Sequence, residues 1–399
     1  MAIATINTVM DLDEVKSRAK EFSINRILKE NAYQNIPLSF ETAYLLGIFT
    51  LYPYKEELSG LFSVDKGLAD KQSLAALCSL HNSALYSKDK AEDQIAGICA
   101  AIFDFDIRLS KEKFLLPDIS LAIDNCGMGG DLLRTPNVST ISALIAAAQG
   151  IIMCKHGSPG NTDSVGSSDF LQYMGVDLFP PKKLVEQALE RVGFGYTDAL
   201  DTNYKHIHVQ THRSAHLAHM NDIIGPITNP LHPALMKKRI VGINHLIPPD
   251  VVARAYRILN DKGVTSVNQG LFVRGFGDKE RNKGMDELSL LEGGTMVAEL
   301  DSGDIRTYSL YASDFGVREG RYANIDPGRE KARFSSDLLQ GRGSDDAIHL
   351  VCANAALLSY VMYRTPLAEG FSRARETLKS GAAFDKLHEY KDCLDGGAL

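Results

Sequence analysis

From Leu12 to about Cys99, apolar residues recur at helical spacing in four successive segments: LDEVKSRAKEFSINRILKE, SFETAYLLGIFTLY, KQSLAALCSLHNSALYS and KDKAEDQIAGICAAIF. Recurrence at i, i+3 and i+4 predicts amphipathic helices. Ser39 and Ser87 stand where N-caps fall, and Pro53 marks a turn. After Pro117 the pattern changes to short aliphatic runs alternating with helical ones. ISLAI (Ile119 to Ile123), IIMCKHG and TSVNQGLFVRG predict buried strands, and Lys182 to Val192 an amphipathic helix. Gln210 to Ile224 returns to helical spacing and ends at GPITNPLHP, Gly225 to Pro233, whose prolines predict a rigid turn or hinge. Beyond Gly303 the periodicity weakens until the helices Asp345 to Tyr363 and Ala368 to Lys379. The fold class is therefore α/β: a small all-helical domain plus a large α/β domain with a central, mostly parallel sheet flanked by helices. The boundaries read as an extension over 1–37, a helical domain over 38–110 that regains 205–235, and an α/β domain over 117–204 and 236–399.

Between the first predicted strand and the helical run Ile141 to Ala148 lies a glycine loop with Gly127, Gly129, Gly130 and Asp131, followed by Asn137, Ser139 and Thr140. Glycines let backbone N–H groups converge, and a helix N-terminus adds unpaired donors and a positive dipole end, so the arrangement suits a phosphate. A tight strand-to-helix turn with an ordinary N-cap produces the same residues. The loop is neither GxGxxG nor a GK[ST] P-loop, which argues against a dinucleotide or P-loop nucleotide site.

Composition narrows the chemistry. A net charge of −7 disfavours wholesale binding to nucleic acid or anionic membranes. The longest apolar stretches read as too short to span a bilayer. Six scattered cysteines without a CxxC pair read as reduced thiols, and no signal peptide opens the chain, so the expected location is cytoplasmic.

Two more constellations join the glycine loop. Lys155 to Leu171, KHGSPGNTDSVGSSDFL, places a lysine at a strand end before a small-residue loop, where it can neutralise phosphate. GMDELSL sets Asp286 beside Glu287 after a glycine, a pair able to hold magnesium or simply to be solvated. Their order resembles the anthranilate phosphoribosyltransferase family, which carries GTGGD, NxST, KHG, GSxD, GPLxNP and DE. Here those read GMGGD at 127 to 131, NVST at 137 to 140, KHG at 155 to 157, GSSD at 166 to 169, GPITNP at 225 to 230 and MDELSL at 285 to 290.

The resemblance implies transfer of 5-phosphoribose from phosphoribosyl pyrophosphate (PRPP) to an aromatic amine, anthranilate or an analogue, with magnesium, two ions per site. It implies a homodimer formed through the helical domain. By matching position, Gly127, Gly129, Gly130, Asp131, Asn137, Ser139, Thr140 and Lys155 contact PRPP. Ser139 meets one ion, and Asp286 and Glu287 meet the second. His156, Gly157, Ser158, His212 and Arg213 fall on the acceptor side. No residue is placed as a covalent nucleophile.

The chain departs from the family on that acceptor side. Ser158 stands where the family has asparagine, the acceptor arginine aligns with His212 beside Arg213, and Met128 replaces the threonine of the glycine loop. His206, His208, His212, His216 and His219 cluster along one segment. An insertion, Gly275 to Lys283, is expected to bring Lys279, Arg281 and Lys283 near the acidic pair, as a lid or as an ordinary charged loop. The alternatives are a different acceptor, a nucleoside phosphorylase on the same fold, and a non-catalytic relative that binds nucleic acid, for which Lys237, Lys238 and Arg239 offer a basic strip.

Overall fold

Ser39 closes an extended stretch with its hydroxyl accepting the Thr42 N–H (3.3 Å), and the apolar run behind it folds into the helix Phe40–Leu51. The helix Ala91–Ile102 lies against it at close range because both contribute a glycine. A Cβ on Gly97 would lie 2.4 Å from the Phe40 carbonyl oxygen, and one on Gly47 2.6 Å from Ala101 Cβ. Upstream, the expected single helix divides into Leu12–Ala19 and Ile24–Leu28, because the Ser23 side chain accepts from Arg26 N–H and starts a new helix. The third N-terminal pattern folds as Lys66–Tyr86. This computed structural model describes residues 8–34, 36–86, 91–109, 121–160, 165–212, 219–231, 233, 235–244 and 247–396, so the N-cap expected at Ser87 lies outside the described residues.

Eight strands form one sheet: β1 (Ile123–Gly127), β2 (Met153–Gly157), β3 (Phe194–Asp198), β4 (Lys238–Gly242), β5 (Gln269–Phe276), β6 (Gly284–Met285), β7 (Thr295–Asp301) and β8 (Asp304–Leu310). Their order is β3-β2-β1-β4-β5-β7-β8, with β6 paired to β5. Neighbours from β3 to β5 are parallel, and β6, β7 and β8 add antiparallel pairings. β8 has one buried residue in seven, so its sequence carries little apolar signal, and it falls where the periodicity weakened.

The first strand corrects the sequence reading. It starts at Ile123, where the aliphatic run ISLAI ends, and continues through Asp124 and Asn125, while Ile119 and Ser120 of that run lie outside the described residues. These polar residues enter a buried strand because partners satisfy them. Asp124 pairs with Arg239 on the adjacent β4 (3.2 Å) and accepts from Asn229 Nδ2 (3.0 Å). Asn125 Nδ2 donates to Ser139 O (2.9 Å) and Ser142 Oγ (3.0 Å).

Alternation along β4 and β5 divides the core. Val241 and Phe272 face the N-terminal helices and the helix Pro249–Asp261, while Ile240, Leu271 and Val273 face Val138–Ala148 and Asp345–Tyr363. Asp345–Tyr363 is long and apolar enough to cross a membrane, contrary to the expectation from the apolar runs, but most of it is buried in this second core. The helices Ile207–His212 and Asn221–Ile227 join the first core, and Met220 N–H donates to Leu77 O (3.0 Å). The GPITNP segment is a buried, bolted element. Pro226 lies within the last turn of Asn221–Ile227, Asn229 Nδ2 donates to Cys154 O (2.9 Å), and Lys205 Nζ donates to Thr228 O (2.8 Å) and Oγ1 (3.0 Å).

Candidate active site

The carboxyl ends of β1, β2 and β3 open into a cavity of about 760 Å³, the place where parallel α/β sheets present their loops for binding. Its floor is made by glycines and one aspartate. A Cβ on Gly127 would lie 2.0 Å from Asp286 Oδ2, and one on Gly242 1.5 Å from the Asp286 carbonyl oxygen. The two glycines therefore make the space that Asp286 occupies. Gly129 and Gly130 turn at φ +70° and +74°, aiming Gly129 N–H at Asp286 Oδ2 (2.6 Å). Asp286 N–H donates in turn to Asp131 Oδ1 (2.6 Å), and Thr135 Oγ1 donates to Glu287 Oε2 (3.5 Å).

Asp131, Asp286 and Glu287 each offer an oxygen within 4.8 Å of the others. Desolvation, then the charges of its neighbours, pushes the Asp131 carboxyl well above the usual range. Burial and Asp286 push Glu287 the same way, with Lys331 opposing. Three crowded carboxyls that repel one another, with a serine-bearing helix start beside them, fit a divalent cation with oxygen ligands, of the magnesium type. Among the described residues this is the one cluster with metal-ligand spacing, and it contains no histidine.

Of the residues expected at phosphate, Gly127, Gly129, Gly130, Asp131, Asn137 and Ser139 line the cavity. Thr140 and Lys155 do not. Thr140 is wholly buried in the helix Val138–Ala148. Lys155 is also wholly buried, and its Nζ donates to the His156 carbonyl (3.0 Å) beneath the cavity wall. Asn137 links three segments. Its N–H donates to Ser335 Oγ (2.9 Å), and its side-chain amide, with nitrogen toward the KHG loop, donates to Val165 O and Gly166 O (3.2 Å each). Met128 donates its N–H to Gly242 O (3.1 Å) and is almost fully buried, its side chain joining the apolar cluster of the N-terminal helices, so the residue that replaces threonine packs against that core.

His156, Gly157 and Ser158 line the cavity's other end together with His208, His219 and Asp222. His156 Nδ1 lies 3.0 Å from the Thr197 carbonyl, which can only accept, so Nδ1 carries the proton. Nε2 is then a bare acceptor with no partner among the described residues. Burial, then the neighbouring cationic Lys205, holds this imidazole well below the ordinary histidine range. His208 fits because Gly225 lacks a side chain: a Cβ there would lie 2.5 Å from His208 Cε1. Asp169 pins the KHG loop, accepting from Gly160 N–H (2.7 Å) and Gly166 N–H (2.8 Å). The side chain of His212, and all of Arg213 and His216, lie outside the described residues.

The insertion at 275–283 does not cover the site. Lys279 pairs with Glu292 (2.6 Å), and Arg281 donates to Gly293 O (3.2 Å) and stacks over Phe276, so both face the loop that leads into β7. Among the described residues, the cations that line the cavity are Arg134, Arg329 and Lys331. Sequence motifs pointed to none of them. The available signal was a DPG turn before the helix Lys331–Leu339, in the stretch where periodicity was weakest.

A family model described as the glycosyl transferase family, a/b domain, matches residues 120–384. Among curated relatives, the anthranilate phosphoribosyltransferase of Actinobacillus succinogenes is 31% identical over 347 residues, spanning 85% of this chain and 96% of its own. That of Shewanella sp. (strain ANA-3) is 30% identical over 344 residues, spanning 84% and 91%. Among solved structures, anthranilate phosphoribosyltransferase from Thermus thermophilus superposes with a TM-score of 0.71 at 26% identity, covering 92% of this chain and 99% of its own. The Saccharomyces cerevisiae enzyme in complex with PRPP and Mg has the same fold, with a TM-score of 0.70 at 23% identity, covering 94% and 98%.

Proposed function

Since the chain belongs to the anthranilate phosphoribosyltransferase family, we propose that its cavity transfers 5-phosphoribose from PRPP to the amino nitrogen of an aromatic amine, anthranilate or an analogue, releasing pyrophosphate. The protein is a pentosyltransferase, and the step is of the tryptophan-biosynthesis type. The observation that carries this reading is the clasp of Asp286 inside the glycine loop, which joins the phosphate-type loop and the acidic cluster into one site.

Gly127, Gly129, Gly130, Asp131, Asn137 and Ser139, which line the cavity, would hold the diphosphate end of PRPP. Asp286 and Glu287, with Asp131, would hold one magnesium ion, and Ser139, which lines the same cavity, would meet a second. Magnesium bound there supplies charge stabilisation for the diphosphate. The chain's own groups orient and enclose. The His156–Ser158 end of the cavity would orient the incoming amine toward the anomeric carbon, and the KHG loop pinned by Asp169 would keep bulk water from that carbon. The nitrogen bonds to C1 as the C1–O bond breaks. The electron pair leaves on the diphosphate, and the amine proton passes to solvent.

Six free cysteines, five of them buried, support a reducing, cytoplasmic location. Exposed Leu12, Ile36 and Leu68 on the helical side support a homodimer formed there, which sedimentation velocity tests. Incubation with PRPP, magnesium and a panel of aromatic amines, read by mass spectrometry, tests the reaction. Pyrophosphate release tied to a phosphoribosylated amine is expected. Turnover only of nucleosides with phosphate would replace this reading with a phosphorylase.

A further inference from the structure

Two of the cavity's cations come from one segment that the family motifs do not include. Arg329 lies in the turn before the helix Lys331–Leu339, and Lys331 opens that helix; both line the same cavity as Asp131, Asp286 and Glu287. Lys331 is half-buried and Arg329 exposed, and among the described residues neither makes an ion pair within 4.0 Å. Cations that line a carboxylate-bearing cavity without being paired are available to an anionic ligand.

Their position is fixed rather than incidental. Ser335, one turn along the same helix, is wholly buried and accepts the Asn137 N–H (2.9 Å) at the start of Val138–Ala148. The Tyr322 hydroxyl, from the same segment, accepts the Arg134 N–H (3.0 Å) just beyond the glycine loop. Leu338 and Leu339 anchor the helix in the core. The segment is thus buttoned at two points, Arg134 and Asn137, to the stretch that leads from the glycine loop into Val138–Ala148. Lys331 also stands near enough to Glu287 for its charge to bear on that carboxyl.

We propose that Lys331, with Arg329, is a diphosphate-directed cation pair of this chain, binding the leaving pyrophosphate in the same cavity as the glycine loop whether or not a divalent ion is present. The inference rests on the phosphoribosyl-transfer reading. As the C1–O bond breaks, the electron pair settles on the diphosphate oxygen, and an ammonium placed there lowers the energy of that charge without giving up a proton. Lys155, wholly buried with its Nζ on the His156 carbonyl, and Lys279, paired with Glu292, are turned away from this role, while Arg134 stands on the side of the glycine loop itself.

The test is calorimetric binding of inorganic pyrophosphate to the full-length protein in EDTA, for wild type, Lys331→Met, Arg329→Met and Lys331→Arg, with thermal unfolding checked for each. Wild type is expected to bind without metal. Lys331→Met is expected to weaken binding by roughly tenfold or more and Arg329→Met by less, with Lys331→Arg restoring most of the loss. In turnover assays Lys331→Met should need several-fold more magnesium for half-maximal rate. Pyrophosphate binding in EDTA that is equal in wild type, Lys331→Met and Arg329→Met overturns the proposal, as does absent binding in wild type. If wild type phosphoribosylates no amine yet shows this Lys331-dependent binding, the diphosphate site stands and the acceptor reading falls.

Discussion

Asp286 is held by what its neighbours lack. At Gly127 an added methyl meets the end of a side chain that can rotate, whereas at Gly242 it meets a backbone carbonyl that cannot. Gly127→Ala is therefore expected to fold with a Tm near wild type and to lose turnover by about 100-fold or more through a displaced carboxylate. Gly242→Ala is expected to lose about 1–3 kcal/mol of stability or more in urea unfolding. Equal behaviour of the two would mean that Asp286 is not so tightly seated. His156 gives a pH signature. Its folded pKa is depressed below the unfolded value of about 6.5, so its contribution to stability is present above that value and is lost as pH falls through the folded pKa. The Tm of wild type should fall more steeply below pH 6.5 than that of His156→Gln; parallel curves would show that the imidazole is not held neutral. At this scale the sequence was readable wherever a residue acts by type. The glycines and Asp286 could be named from their motif, but Lys155 could not be placed, because one strand register decides whether a side chain meets the cavity or the layer beneath it.

Among elements, the helix Lys331–Leu339 is fastened to the phosphate side of the site by one hydroxyl. Ser335→Ala leaves the buried Asn137 N–H unpaired and should cost about 1–3 kcal/mol, with a raised KM for PRPP; an unchanged Tm and KM would show that the junction carries little. Long helices with strong periodicity, such as Phe40–Leu51 and Asp345–Tyr363, could be read from the sequence to within a residue or two. β1 could not, because Asp124 and Asn125 look like loop residues until Arg239, Asn229 and Ser142 supply their partners from 17 to more than 100 positions away. Lys279 and Arg281 of the insertion stand away from the acidic pair for a related reason: Glu292 and the Gly293 carbonyl satisfy them, contacts that only the hairpin geometry creates.

For the molecule as a whole, the acidic cluster at the carboxyl ends of the strands should make magnesium a stabiliser as well as a participant. Asp286→Ala combined with Glu287→Ala is expected to abolish magnesium-dependent turnover and the magnesium-induced rise in Tm together. Retention of either removes these residues from the metal site. The sheet's two halves also differ in how far apart along the chain their partners lie. β7 and β8 meet across a tight turn, with Asp301 opposite Asp304, whereas β1 reaches Lys238 of β4 only after the whole intervening chain has been placed. Closing long loops is slower than closing short ones. Pulse-labelling hydrogen exchange during refolding should therefore protect Thr295–Leu310 early and Ile123–Gly127 late. The strand that carries the glycine loop is then among the last to be secured, and a newly made chain has its scaffold before it has its chemistry.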